Sequence, residues 1–264
     1  MEKTCNICGN AINPIFSAEI LKKFTVQYFQ CPFCGYICTE TPYWLPESYK
    51  DPINITDTGM LARNIHLSKI SSCILFLFFK NDKKYLDYGG GYGVLTRLMR
   101  DVGFDFYWHD PFSHNLFAQG FEYPKNCNCS EIELLTAFEN FEHFIDPLED
   151  LGKIFSISHN VIFSTELVPN PVPKPDEWWY YGLEHGQHIS FYSQNTLKII
   201  AEKFGVNYYS CNNLHFFTRK KISITIWKLV CKIGFRFIYP LIKLKMKSKT
   251  VEDMNFLKSN LEIL

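Results

Sequence analysis

Three groups of residues in this chain have types and spacings that suit chemistry. The first is Leu86-Asp87-Tyr88-Gly89-Gly90-Gly91-Tyr92-Gly93, an acid followed by a run rich in glycine. Glycine lets the backbone reach positive φ and lets a ligand approach the main chain closely. The second is a pair of Cys-x-x-Cys-Gly knuckles, Cys5-Asn6-Ile7-Cys8-Gly9 and Cys31-Pro32-Phe33-Cys34-Gly35. Each places two thiolates on one side of a tight turn, and together they supply the four sulfurs of a tetrahedral zinc site. The third is a set of histidines beside carboxylates and aromatics, at Glu142-His143 and again at His185 and His188. A histidine titrating near pH 6.5 is suited to taking a proton at neutral pH.

The glycine run needs a strand before it and a helix after it. Lys83-Lys84-Tyr85 leads into a short strand, and Val94 to Val102 carries Leu95, Leu98, Met99 and Val102 at helical spacing before Gly103 stops it. The run is thereby a strand-to-helix turn, where the first helical turn offers free N–H groups and the positive end of the dipole. A dinucleotide turn requires G-x-G-x-x-G, but counted from Gly89 and Gly91 the third position is Val94. What stands is Asp-x-Gly-x-Gly-x-Gly, on Asp87, Gly89, Gly91 and Gly93. Phe104 to His109 reads as a second strand ending on Asp110. An acid there, about 20 residues past the first glycine, takes ribose hydroxyls. Phe112 is placed for either the adenine face or the core. This pattern resembles the first motif of class I S-adenosylmethionine (SAM) methyltransferases. The resemblance implies a doubly wound, Rossmann-like α/β sheet with SAM bound at the turn.

The knuckles and the Phe24–Gln30 strand between them read as a zinc ribbon. Forty residues bury too little core alone, so metal would supply much of the folding free energy. A closed set of four thiolates leaves no open position, which makes the zinc structural. Cys38, Cys73, Cys127, Cys129, Cys211 and Cys231 lack ligand spacing and read as ordinary thiols.

Beyond the ribbon, Asp57 to about Phe79 reads as a helix with an apolar end, ahead of which Tyr43 and Tyr49, with Arg63 within it, are candidates to face the site. Between Asp110 and Ile132 no third strand is evident. Glu133–Phe138 is the fourth strand and Asn160–Glu166 the fifth. The segment Phe138-Glu139-Asn140-Phe141-Glu142-His143-Phe144-Ile145-Asp146-Pro147 is similar to that of bacterial class I methyltransferases of natural-product and cell-surface sugar pathways. In those families it lines the gap between cofactor methyl and substrate, which puts Glu139 on the cofactor side and Glu142 and His143 near the acceptor. Trp178 to Ser193 resembles the matching stretch of zinc-ribbon-bearing sugar C-methyltransferases, whose base histidine falls on His188. Where those relatives carry a glutamate before it, this chain has Gln187. The resemblance covers roughly residues 1–205. It implies a sugar-type small-molecule acceptor and a histidine base, with His188 first, His143 second, and Glu142, His185 and Tyr181 in support.

The composition is that of a core-forming chain, 47% hydrophobic and 17% aromatic over 264 residues, with no net charge. That neutrality hides an asymmetry. Residues 1–218 hold 16 Lys/Arg against 24 Asp/Glu, whereas 219–251 hold 10 Lys/Arg and no acid. The acidic body disfavours nucleic acid as a partner. No apolar run reaches the ~18 residues that span a bilayer, and the start lacks a signal-peptide pattern. A cytoplasmic location follows as the expectation. The expected organisation is a ribbon at 1–40, a helical connector or cap at 41–82, the SAM-binding domain at 83–218 and a basic amphipathic tail at 219–264. In the tail, Lys228, Lys232 and Arg236 recur opposite Ile226, Leu229, Val230, Ile233 and Phe237, and Pro240 is expected to break the helix. Its apolar face is expected to pack on the domain or on a second copy, and the other reading is peripheral contact with the inner membrane face. Two further functional readings stand beside methyl transfer to a sugar: a catalytically silent SAM-binding ribbon protein, and a nucleic-acid methyltransferase.

Overall fold

Alternating apolar residues and a three-residue turn make a hairpin of β1 (Asn13–Ile20) and β2 (Phe24–Gln30), with Ile20 opposite Phe24. In the computed structural model, which describes residues 3–50, 57–127 and 131–261, this hairpin opens the chain. There follow β3 (Ile37–Thr39), α1 (Leu45–Ser48), α2 (Met60–Phe78), β4 (Lys84–Tyr88), α3 (Val94–Val102), β5 (Asp105–His109) and β6 (Leu134–Phe138). A 3-10 turn at Phe141–His143 precedes α4 (Pro147–Ile157) and β7 (Val161–Ser164). A second 3-10 turn, Trp179–Tyr181, leads to β8 (Ser190–Phe191), α5 (Gln194–Lys203), β9 (Asn207–Cys211) and β10 (Leu214–Thr218). The chain closes with α6 (Ile224–Leu229), a π turn at Val230–Gly234, α7 (Phe235–Lys245) and α8 (Thr250–Leu261).

The larger sheet has six strands in the order β5-β4-β6-β7-β10-β9, with β4 parallel to both β5 and β6 and β10 antiparallel to β9. This is the mixed α/β, mainly parallel sheet that the glycine turn implies. No full third strand forms among the described residues. Its place is marked by a single parallel bridge between Trp108 and Glu122.

By contact density the chain divides into two compact units. One comprises Met1–Asn54, Phe138–His159 and Phe163–Lys221. Its core joins hairpin residues Ile20, Val26 and Tyr28 to Trp44, Tyr180, Tyr181 and Phe191, all essentially without solvent contact. Strand β8 extends the hairpin sheet, pairing Phe191 with Ile37. The other unit comprises Ile55–Ala137, Asn160–Ile162 and Ile222–Leu264. Here α3 packs on β4 and β5, burying Leu95, Met99 and Val102, while Leu98 stays half-buried.

Arg100 also turns inward from α3. Its guanidinium is bidentate to Asp253 of α8 at 2.9 and 2.7 Å, bonds Asp105 at 2.7 Å, and lies 3.7 Å from the centre of the Phe121 ring. Arg97 completes the set, reaching Asp253 at 2.8 Å. A buried charge needs such a full set of partners.

The tail departs from expectation twice. Pro240 lies inside α7 rather than ending it. A proline costs the bond to the residue four back, and here packing of α7 against α2 outweighs that loss. Second, the inner face is Trp227, Val230, Cys231, Gly234 and Ile242, leaving Ile226, Leu229, Ile233 and Phe237 exposed. Of the expected apolar face, only Val230 is buried. The tail carries apolar residues on two adjacent faces, so the pattern alone misassigns which one the fold takes. Cys127 is disulfide-bonded rather than a free thiol, and Cys129 lies outside the described residues. No described helix is long and apolar enough to cross a membrane.

Candidate functional site

The glycine turn follows β4 as the sequence implies. Gly89, Gly91 and Gly93 all hold positive φ, at +69°, +52° and +84°. Gly93 caps α3 at its N-terminus. Backbone N–H groups of Gly89 and Gly90 donate to the His109 carbonyl at 2.8 and 3.2 Å, tying the turn to the end of β5. Asp110 ties it again. Its Oδ2 accepts from the Gly91 N–H at 2.9 Å, and its Oδ1 accepts from Phe112 and Ser113 N–H at 2.8 and 2.9 Å. An ionised carboxylate offers about four lone-pair sites, so one is left for a ligand hydroxyl. The Phe112 ring is 64% exposed, so the core alternative for it is excluded.

Asp87 lies beneath the turn, buried, with its oxygens accepting from Thr136 at 3.0 Å and Thr96 at 3.1 Å. Burial pushes its carboxyl up to about 7, against the pull of the two threonine hydroxyls. Its visible contacts are to the scaffold of the turn. Gly90, which the motif reading passes over, also has no room for a side chain. A Cβ there would stand 2.7 Å from Trp108 Cδ1 and 2.8 Å from Asp87 Oδ2. Trp108 is itself fixed by donating from Nε1 to the Gly91 carbonyl at 3.0 Å. The need for glycine at 90 depends on where β5 places its tryptophan, which no local pattern reveals.

In the other unit, Glu142, His143 and His188 come together, each offering a ligand or base atom within 4.8 Å of the others. The 3-10 turn after β6 presents the first two, and the segment before β8 presents the third. Glu142 is buried, and both imidazoles are half-buried. His188 Nδ1 stands 2.7 Å from the Tyr180 carbonyl. His143 Nδ1 stands 3.1 Å from the Gln187 carbonyl and 3.1 Å from the Tyr49 hydroxyl. A carbonyl only accepts, so Nδ1 of His188 carries that ring's proton and its Nε2 keeps a lone pair, whereas the His143 ring is held by two carbonyls, those of Gln187 and Glu139. Burial, with His185 adding repulsion, holds His143 down at about 4. Burial first, then His143 and His185, holds His188 well below the ordinary range. Both rings are therefore neutral at physiological pH.

The other sequence candidates are placed as follows. Tyr49 reaches His143, whereas Tyr43 is exposed and Arg63 is paired with Asp57 at 2.6 Å. Tyr181 donates to the Pro173 carbonyl at 3.0 Å within the core. Gln187 is buried and donates from its side chain to the Ser48 carbonyl at 2.9 Å, and His185 accepts from the Gln187 N–H at 3.1 Å. Glu139, at positive φ, receives the Ser164 hydroxyl at 2.5 Å and donates its N–H to the same oxygen at 2.9 Å.

The knuckles have matching backbones. Gly9 donates to Cys5 O and Gly35 to Cys31 O, each at 2.9 Å, and both glycines are at positive φ. The four sulfurs lie within 4.8 Å of one another, with Cys5–Cys34 at 3.6 Å and Cys8–Cys31 at 3.4 Å. Sulfurs bound tetrahedrally to one zinc at ~2.3 Å stand ~3.8 Å apart, so the set fits the metal with small adjustment. Donors already point at the sulfurs, from Ile7 N–H at 3.4 Å, Cys34 N–H at 3.5 Å and the Asn10 amide at 3.3 Å. The second knuckle is anchored to the start of α5, where Ser193 and Thr196 hydroxyls donate to the Cys34 carbonyl at 2.6 and 2.9 Å.

A family model described as a methyltransferase domain matches residues 62–210. No curated protein matches the chain. Among solved structures, the chain is similar to the plantazolicin methyltransferase BpumL in complex with SAH, at 11% identity over 77% of this chain and 84% of that one, TM-score 0.44. TnmH is 14% identical over 61% of this chain and 56% of its own, TM-score 0.40. CalO1, a methyltransferase in calicheamicin biosynthesis in its SAH-bound form, is 14% identical over 58% and 54%, TM-score 0.39. The chain thus spans a little over half the length of TnmH and CalO1.

Proposed function

The chain belongs to the methyltransferase-domain family, and from that premise we propose that it carries out SAM-dependent methyl transfer to a sugar, sugar nucleotide or related hydroxylated metabolite, with a histidine as base. SAM supplies a methyl group already activated on sulfonium, so the protein's work is to hold, aim and deprotonate. Gly89, Gly91 and Gly93 open the main chain to the cofactor, and the remaining lone pair of Asp110 takes a ribose hydroxyl. Phe112 would offer its exposed ring to the adenine, and Glu139, its carboxylate oriented by Ser164, is assigned to the cofactor. The acceptor's proton would pass to His188, through its Nε2 lone pair, with His143 as the second candidate base.

The observation that carries this reading is the pairing of the His188 Nδ1 with the Tyr180 carbonyl. That fixes the tautomer a general base requires, and burial keeps both rings uncharged. Glu142 balances the imidazolium formed after proton transfer. Cys5, Cys8, Cys31 and Cys34 hold a structural zinc that orders the hairpin and, through Cys34, the start of α5.

The test is an acceptor screen with labelled SAM over sugar nucleotides, followed by His188→Gln and His143→Gln. Loss of a general base costs about 10²–10⁴ in rate. At least one variant should show that loss with SAM affinity unchanged. Full turnover in both variants would refute the histidine base.

A further inference from the structure

The tail leaves one surface that neither the fold nor methyl transfer uses. From Ile224 to Lys245 the chain is helical throughout, its two α segments joined by the π turn. Its inner face is occupied by α2: Cys73 packs on Gly234, the His66 and Phe235 rings lie 5.2 Å apart, and Lys69 stands 6.0 Å from the centre of the Tyr239 ring. A second apolar stripe faces solvent. Ile226, Leu229, Ile233, Phe237, Leu241 and Leu244 are 41% to 84% exposed.

The stripe is laid out by a repeating order. Lys228-Leu229-Val230, Lys232-Ile233-Gly234 and Arg236-Phe237-Ile238 each read as cation, exposed apolar residue and then a residue turned inward, buried at 230 and 234 and half-buried at 238. One step along an α-helix turns by about 100°. The three positions therefore generate three faces: cations outermost, the apolar stripe between, and the packed face inside. A four-residue repeat drifts around a helix of 3.6 residues per turn. The π turn at 230–234 is wider and offsets that drift, so the stripe stays on one side. Ten Lys/Arg and no acid occupy 219–249, and nine of those cations are exposed.

We propose that this stripe is a docking surface for an anionic lipid membrane, on which the 224–245 helix lies in the plane of the interface. The occupant is chosen by charge complementarity. An apolar stripe edged by unopposed cations matches acyl chains beneath acidic headgroups. Lys228, Lys232 and Arg236 would reach the headgroups on their flexible stems while the stripe enters the acyl boundary. A second copy of the chain would bring the same cations face to face with themselves, which costs free energy unless screened.

The experiment is co-sedimentation of the full, zinc-loaded chain with phosphatidylcholine vesicles, with and without phosphatidylserine. Binding is expected only to the phosphatidylserine vesicles, and to weaken with added salt. Each cation near an anionic surface contributes about 1 kcal/mol, so Lys228→Gln, Lys232→Gln and Arg236→Gln together should lower partitioning about a hundredfold. Leu229→Ser with Phe237→Ser should abolish it, and both variants should melt at the wild-type temperature because the altered side chains face solvent. Equal binding to neutral and anionic vesicles, or no binding to either, would overturn the proposal. So would a stable dimer that Phe237→Ser splits, or selective capture of nucleic acid without vesicle binding.

Discussion

Replacing Gly90 with alanine puts a methyl group where the structure has no room for one. The added carbon would lie 2.7 Å from Trp108 Cδ1, 2.8 Å from Asp87 Oδ2 and 3.1 Å from Trp108 Nε1. None of these neighbours yields easily. Trp108 is held by its bond to the Gly91 carbonyl, and Asp87 is buried between Thr96 and Thr136. Overpacking of this kind costs about 1–3 kcal/mol, and 1.4 kcal/mol is a factor of about ten. If relief comes from opening the turn, the whole cost falls on cofactor binding, and SAM affinity should drop about 5- to 150-fold. Calorimetric titration with SAM, beside a thermal melt, measures both routes. Trp108→Leu removes the nearest obstacle, so the penalty for Gly90→Ala should shrink by at least about 0.5 kcal/mol in that background, as expected for residues in contact. Wild-type affinity and melting temperature for Gly90→Ala would refute the reasoning. An undiminished penalty beside Trp108→Leu would refute the assignment to Trp108.

Three further outcomes are expected. Asp253→Ala strands Arg100 without its bidentate partner and should cost about 3–5 kcal/mol in chemical denaturation, whereas Arg100→Met with Asp253→Leu should cost less. The Asp253 carboxyl is pushed up by burial but pulled further down by Arg100 and Arg97, so its contribution holds above the usual carboxylate range and fades as acid protonates it. The folded values of His143 and His188 lie below the unfolded value, so the unfolded chain takes up protons first. Stability should therefore be whole above about pH 6.5 and decline as pH falls toward 4, with a shallower decline in His143→Gln. Zinc analysis should find one metal per chain, and Cys34→Ser or a strong chelator should release it and lower the melting temperature. Retention of full stability after chelation would remove the metal from the account.

The glycine turn was legible because its information is local. A strand, a positive-φ run, a capped helix and an acid at the next strand end all lie within about 25 consecutive residues. The knuckles were legible for the same reason. Glu142, His143 and His188 were readable as candidates, but their convergence depends on the segment before β8 bonding the 3-10 turn, through Ile189 N–H to the Glu142 carbonyl and Ser190 to the Phe144 carbonyl, contacts between distant stretches that no periodicity announces. Gly90 was missed because its constraint comes from Trp108 on a neighbouring strand. The burial of Arg100 on α3 has no local signal, because its partner Asp253 lies far along the chain. The tail misled for a different reason. With apolar residues on two adjacent faces, the sequence does not say which one the fold keeps, and packing on α2 decides it.

The central claim is that the Asp87–Gly93 turn with Asp110 binds SAM. The most direct measurement is calorimetric titration of the zinc-loaded protein with SAM, with Asp110→Ala beside it. Micromolar binding that weakens at least about tenfold in the variant is the predicted result. A wild-type protein that is folded and zinc-loaded yet gives no binding heat with SAM or SAH at any of several temperatures would contradict the account.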